Sequence, residues 1–214
     1  MNNALTITNR VESDIKNYGE LIIYDKDSYI FTNNETLEYA YFILKGRLKV
    51  SEVNLNNGKE QVLNILSKGD LYDIVTILDK KPHEYIVTTL EEVNFIRIPM
   101  KIIDDWIINN IDFRKFFFSY IGDQFRKIED LTLSLSLDKS STRLVKLILD
   151  SANQNSNKYK LIKGLNHEQI GAIIGSVRNV VNRDLQKLKN EGLIDIKRKD
   201  ISIKDETLLL EYIH

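Results

Sequence analysis

The chain has 214 residues, which fits one or two domains, and 43% of them are hydrophobic, enough for an ordinary core. It contains no cysteine, which excludes disulfides, thiolate zinc sites and cysteine-ligated iron–sulfur clusters and accords with a reducing compartment. The net charge of −1 is unevenly spread: residues 138–214 hold 14 Lys and Arg against 10 Asp and Glu, a net +4, and the residues before them 16 against 21, a net −5.

In chain order, the N-terminus MNNALTITNR lacks a signal-peptide core, and no later apolar run reaches membrane-spanning length, so a cytoplasmic protein is expected. Leu5 to Tyr18 reads as an amphipathic opening helix. From Glu20 to Pro99 the hydrophobic period shifts toward two. Strands are predicted over Leu21–Tyr24, Ser28–Thr32, Tyr39–Leu44, Arg47–Val53, Glu60–Leu66, Glu84–Leu90 and Val93–Ile98. Turn residues separate them: Asp25-Lys26-Asp27, Asn33-Asn34, Lys45-Gly46, Asn56-Asn57-Gly58 and Lys68-Gly69-Asp70. Many short strands at regular spacing predict a barrel or jelly roll. Tyr39, Tyr41, Phe42, Tyr72 and Tyr85 either line a pocket in it or belong to its core.

Met100–Asn110 reads as a short helix with Ile103, Trp106 and Ile107 inward, and a longer helix follows over 111–137. Phe117, Ile121, Gln124, Ile128, Leu131 and Leu135 alternate spacings of four and three, which predicts a coiled-coil seam and hence a homodimer. Phe113, Phe116, Tyr120 and Phe125 lie off that seam and are expected to pack on the barrel. Leu137-Asp138 is the expected hinge, with Asp138 or Ser140 capping a helix over Thr142–Ala152 and a polar loop over Asn153–Lys158.

Residues 165–192 predict a helix–turn–helix. Asn166 and Gln169 are spaced for a capping box, and Leu165 and Ile170 for a hydrophobic staple. Ile170, Ile173 and Ile174 form one apolar face, Gly175 permits the turn, and Ser176 is placed to cap the second helix. In that helix Val181, Leu185 and Leu188 face inward, which leaves Arg178, Asn179, Asn182, Arg183 and Gln186 outside. Arg pairs bidentately with guanine, and Asn or Gln with adenine. His167 falls in the first turn, near where a phosphate would lie. Two short strands, Leu193–Ile196 and Ile201–Ile203, flank the basic turn Lys197-Arg198-Lys199-Asp200, as in a winged helix, and Glu206–Ile213 closes the chain as a helix. A basic C-terminal part on an acidic N-terminal part suits a nucleic-acid-binding module joined to a sensor.

Ile170-Gly171, Gly175, Arg178, Val181, Arg183, Leu185, Leu188, Gly192-Leu193-Ile194 and Ile201 resemble the C-terminal domain of the Crp/Fnr family, the cyclic-AMP receptor protein and its relatives. The strand–Gly–strand run Tyr41–Val50, the Asn57-Gly58 turn and the Gly69-Asp70 corner resemble the cyclic-nucleotide-binding barrel of the same family. The resemblance implies an α+β chain: an effector β-barrel or jelly roll over 1–110, a dimerisation helix over 111–137 and a winged helix–turn–helix over 138–214. It also implies a cytoplasmic, homodimeric transcription regulator on a near-palindromic site in double-stranded DNA, partnered by RNA polymerase if it activates. Arg178 and Arg183 match the family's two base-contacting arginines, while Asn179 stands where the family has Glu. Asn179 is therefore expected to read bases with them, and Ser176, Asn182, Lys197, Arg198 and Lys199 to hold the backbone.

The family's phosphate cassette of Gly-Glu-Leu followed by Arg-Ser/Thr-Ala is altered. Gly69-Asp70-Leu71 carries a shorter acid, and Lys80-Lys81-Pro82-His83 offers no guanidinium fork. Asp70, Leu71, Lys81 and His83 are the remaining effector-site candidates, for a ligand other than cyclic AMP. Some members of the family bind haem and sense nitric oxide or carbon monoxide, which makes His83 a candidate axial ligand against its plainer reading as an exposed loop residue. No resident metal is expected otherwise. An enzyme is not expected, since no nucleophile–base pair, metal-ligand cluster or Gly-rich phosphate loop stands out, and a jelly-roll metalloenzyme needs more barrel histidines than His83.

Overall fold

In the computed structural model, residues 9–30, 35–82, 85–153, 160–197 and 200–213 are described. They fall into two units: residues 1–52 with 63–128, and residues 53–62 with 129–214.

The first unit opens with α1 (Asn9–Tyr18) and continues through β1 (Glu20–Tyr24), β2 (Tyr29–Ile30), α2 (Glu35–Glu38), β3 (Tyr39–Lys45), β4 (Arg47–Val53), β5 (Glu60–Ser67), β6 (Leu71–Tyr72), α3 (Ile74–Asp79), β7 (Ile86–Thr89) and β8 (Val93–Pro99). The alternating segments thus form strands close to their expected bounds. Two short helices, α2 and α3, and the two-residue strand β6 carry no period long enough to be read in the sequence. The strands form two four-stranded sheets, ordered β1-β8-β3-β6 and β2-β7-β4-β5, a jelly-roll-like pair of sheets instead of one closed barrel.

Alternation decides which face each side chain takes. Tyr41, Ile43, Val93 and Phe95 of one sheet meet Leu48, Val50 and Val87 of the other in a shared core. Ala40 and Ile98, on the opposite face of β3 and β8, pack instead with Val11 of α1 and with the helices that follow. These are α4 (Met100–Asn109) and α5 (Ile111–Leu137). Trp106 is buried in that second core and donates its indole N–H to Asp14 Oδ2 at 2.7 Å, tying α4 to α1. Asn110 breaks α4 from α5 and caps the new helix, its Oδ1 accepting from Asp112 and Phe113 N–H at 3.1 and 3.0 Å.

The five aromatic residues that were candidates for lining a pocket belong to the two cores. Tyr41 and Tyr72 are buried between the sheets, Tyr39 and Tyr85 pack against that core, and Phe42 packs on the other one. Burial pushes the Tyr41 phenol up to about 12, with the nearby Glu35 carboxylate adding to the rise.

The face of α5 differs from expectation by one residue. Phe117 is only 1% exposed and stacks on Phe113 with ring centroids 6.0 Å apart. Gln124 is 8% exposed and its Oε1 accepts from Asn64 Nδ2 at 3.1 Å. Both were expected in a seam facing a second chain, and both are spent inside the first unit. Phe125, expected on the barrel, is 63% exposed. A residue on an α-helix turns by about 100° relative to its neighbour. A one-residue shift in which stripe is buried therefore turns a different line of side chains outward.

The second unit holds the end of α5, α6 (Ser140–Ala152), α7 (His167–Ile174), α8 (Arg178–Asn190), the hairpin β9 (Ile194–Lys197) and β10 (Asp200–Ile203), and α9 (Glu206–Glu211). The cap of α6 is Lys139, with no side-chain hydrogen bond, in place of Asp138 or Ser140. Asp138 is occupied otherwise: Lys146 and Ser134 both donate to its Oδ2, which holds its carboxyl below the usual range. Arg143 gathers this hinge. Its Nε donates to the Ile174 carbonyl at 2.6 Å, and its Nη1 to the Asp138 and Ser134 carbonyls at 2.6 and 3.4 Å. The Ile174 carbonyl at the end of α7 and the Asp138 carbonyl just beyond α5 thereby share one guanidinium, while the Ser134 carbonyl also accepts from Asp138 N–H at 3.1 Å.

Candidate nucleic-acid interface

The helix–turn–helix forms as its local chemistry dictates. Asn166 Oδ1 accepts from Gln169 N–H, and Gln169 Oε1 accepts from Asn166 N–H, both at 2.9 Å, which completes the capping box. Gly175 ends α7 with φ 66°, a left-handed position that glycine takes without strain. Gly171 allows the turn to close back: its carbonyl accepts from Ser176 N–H at 2.8 Å, and a Cβ there would lie 3.0 Å from the Ser176 carbonyl oxygen. Val177, not Ser176, is the cap of α8 and makes no side-chain cap bond. Ser176 is half-buried in the turn before it.

Val181, Leu185 and Leu188 anchor α8 inward, as expected. Arg178, Asn179, Arg183 and Gln186 are exposed along the opposite side. Asn182 is half-buried, and its Oδ1 is hydrogen-bonded to His167 Nδ1, which joins the first turn of α7 to the middle of α8. Leu165, Asn166, His167, Glu168 and Arg178 line an open recess of about 370 Å³ where the start of α7 faces the start of α8. The hairpin pairs Lys197 with Asp200 and Ile196 with Ile201, and Lys197 is exposed at the end of β9. Arg198 and Lys199, expected at the tip, lie outside the described residues.

The sequence reading missed Asp184. It occupies the inward face of α8 and is 8% exposed, yet it accepts from Arg183 Nε and Nη2 at 3.2 Å each. A heptad count alone places position 184 on the core side; an adjacent Arg-Asp pair gives no sign of which partner is buried.

Among the described residues, the effector candidates Asp70, Leu71 and Lys81 are not gathered into a ligand site. Asp70 Oδ2 accepts from Ser67 N–H at 2.8 Å. Its Oδ1 accepts from the Tyr120 hydroxyl at 3.3 Å and lies 3.9 Å from Lys127 Nζ. Leu71 is buried, and its N–H donates to the same Tyr120 oxygen at 3.0 Å. Burial beside Asp70 pushes the Tyr120 phenol far above its ordinary range. The acid corner is thus engaged with α5. Lys81 extends into solvent with its side chain 78% exposed, 4.0 Å from Asp79 Oδ2. His83 lies outside the described residues. With both Asp70 oxygens engaged and no arginine between residues 71 and 90, these residues do not fit a cyclic nucleotide held by a carboxylate and a guanidinium. Among the described residues no group of His, Asp and Glu is arranged to hold a metal ion, and no helix is long and apolar enough to cross a membrane.

Two family models match in order along the chain: a cyclic nucleotide-binding domain over residues 21–110 and a Crp-like helix-turn-helix domain over residues 142–212. The chain belongs to the Crp/Fnr family of transcription regulators. Among the curated Crp/Fnr proteins, it is 22% identical over 184 residues to a CRP-like cAMP-activated global transcriptional regulator of Mycobacterium tuberculosis, covering 84% of this chain and 82% of that one. Among solved structures, FixK2 from Bradyrhizobium japonicum superposes with a TM-score of 0.75 at 17% identity, covering 90% of this chain and 96% of the other. A CooA variant from Carboxydothermus hydrogenoformans also reaches a TM-score of 0.75, at 19% identity and 99% of both chains. Members of the Crp/Fnr family are DNA-binding transcription regulators and not enzymes. Asp70 and Lys81 lie inside the span that the cyclic nucleotide-binding model matches.

Proposed function

We propose that the protein binds a near-palindromic DNA site as a homodimer, with α8 of each protomer in the major groove. The observation that carries this reading is the polar face of α8, where Arg178, Asn179 and Arg183 are exposed together opposite the buried Val181, Leu185 and Leu188. An α-helix fits the major groove, where each base pair presents a distinct pattern of donors and acceptors. Arg178, Asn179 and Arg183 read bases, and Ser176, Asn182, Lys197, Arg198 and Lys199 hold the sugar–phosphate backbone. Two-fold symmetry sets the half-sites about one helical turn apart.

The dimer forms along α5 through Phe118, Ile121, Phe125, Ile128, Thr132 and Leu135. These alternate spacings of three and four, and Phe118, Phe125 and Ile128 are 59%, 63% and 59% exposed in the single chain. This line keeps Ile121, Ile128 and Leu135 of the expected seam and replaces Phe117, Gln124 and Leu131 by their following neighbours. The effector, where one acts, is not cyclic AMP, because Asp70 is engaged with Tyr120 and Ser67 and the sequence holds no arginine between residues 71 and 90.

Selection of DNA sequences by the purified chain tests this reading. A palindromic motif is expected, and Arg178→Ala relaxes preference at one base pair of each half-site. Lys197→Ala weakens all sequences alike and lowers the salt slope by about two per dimer, one for each lost phosphate contact. Added cyclic AMP leaves both the motif and the melting temperature unchanged. No enriched motif refutes the DNA-reading assignment, and a melting shift with cyclic AMP refutes the effector assignment.

A further inference from the structure

Asp184 stands on the inward face of α8, between Val181 and Leu188, where its neighbours in the core are apolar. Its Oδ2 is buried and has no hydrogen-bond partner among the described residues. An uncompensated buried acceptor is destabilising, and a residue of Leu or Val type would fill the position without that cost. The other oxygen, Oδ1, accepts from both Nε and Nη2 of Arg183 at 3.2 Å. The Asp184 side chain is 10% exposed and the Arg183 side chain 72%. One member of the pair is therefore a fixed anchor, and the other an arm reaching into solvent from the base-reading face.

The guanidinium fork has two edges able to make paired hydrogen bonds, the Nε–Nη2 side and the outer Nη1–Nη2 end. Asp184 occupies the first. The outer end stays free for the two acceptors, O6 and N7, that guanine presents in the major groove. Holding the side edge also removes side-chain freedom before DNA arrives, freedom an unheld arginine would lose on binding.

We propose that Asp184 is a positioning residue that presents the outer edge of Arg183 to a guanine, and so sets sequence preference at one base pair of each half-site. The proposal rests on α8 being the recognition helix, and the experiment separates the two. The full-length chain is titrated against its selected operator and against versions changed at each base pair in turn, as wild type, Arg183→Ala, Asp184→Asn, Asp184→Leu and the double variant Arg183→Ala/Asp184→Leu, with thermal melting of each.

Arg183→Ala is expected to flatten preference at one base pair. Asp184→Leu flattens the same base pair by about tenfold, on the scale of one bidentate contact. Its melting temperature stays equal or higher, since an apolar side chain replaces a buried carboxylate. Asp184→Asn keeps an acceptor oxygen without the charge and retains part of the preference. The double variant loses no more at that base pair than Arg183→Ala alone. If Asp184→Leu binds more tightly with unchanged preference, Asp184 merely holds Arg183 back from DNA and the proposal is overturned. A uniform loss across all base pairs with a lower melting temperature also overturns it, since that is a purely structural role. Should Asp184→Leu fail to fold, unchanged preference in Asp184→Asn overturns it instead. If Arg183→Ala leaves every base pair unaffected, Arg183 reads no guanine and the proposal is overturned, while the recognition-helix reading is decided separately by Arg178→Ala.

Discussion

Phe125→Ala separates the two seams that α5 offers. Phe125 is 63% exposed in the single chain, whereas Phe117 is 1% exposed. Full burial of a phenylalanine side chain is worth about 1.5–3 kcal/mol, so covering what Phe125 still shows contributes about 1–2 kcal/mol per protomer. A two-fold interface counts each substitution twice. The loss is then about 2–4 kcal/mol, or roughly 30- to 1,000-fold in the dimer dissociation constant. Sedimentation over a concentration series reads that constant directly. Operator binding should weaken in parallel, because two half-sites are engaged only by a dimer. Phe117→Ala is the contrasting variant: it removes a stacked core ring and should cost about 3–5 kcal/mol of folding stability. The reasoning is refuted if Phe125→Ala dimerises as wild type does while Gln124→Ala dissociates, since that result returns the seam to Phe117 and Gln124.

Arg143→Ala removes the donor to the Ile174 and Asp138 carbonyls and should destabilise the second unit by about 2–4 kcal/mol, with Arg143→Lys restoring only part because an ammonium cannot fork; thermal unfolding within 0.5 kcal/mol of wild type, roughly the scale of an inert surface change, would discount this role. Tyr41, Tyr72 and Tyr120 have folded-state values raised chiefly by burial, Tyr41 to about 12. A raised value contributes stability that is intact below the unfolded value near 10 and is lost as pH rises through the folded one. Denaturant midpoints should hold up to about pH 10 and then fall steeply. A midpoint unchanged through pH 12 contradicts this linkage. Tyr120→Phe leaves the buried Leu71 N–H without its acceptor and should cost about 1–3 kcal/mol in unfolding measurements while leaving operator preference intact.

Features built from neighbours in the chain were legible in the sequence. The capping box of Asn166 and Gln169, the left-handed Gly175 and the apolar spacing of Val181, Leu185 and Leu188 are set within a few residues of one another. Most strands also showed, because a half-buried strand writes its period into the sequence. The short elements α2, α3 and β6 did not, being shorter than any period that could announce them.

What tertiary structure alone decided lies in pairings between distant residues and in the choice between adjacent faces. Tyr120 meets Asp70 across fifty positions, and nothing local to either residue announces that the acid is already engaged. On α5, apolar residues occur at 117, 118, 121, 125 and 128, so the sequence permits more than one stripe. Only packing of Phe113, Phe117 and Tyr120 into the core of the first unit selects which stripe is turned outward. At Asp184 the period predicts burial and the charge predicts exposure. The fold resolves that conflict by burying the carboxylate and letting the neighbouring arginine carry its hydrogen bonds to the surface.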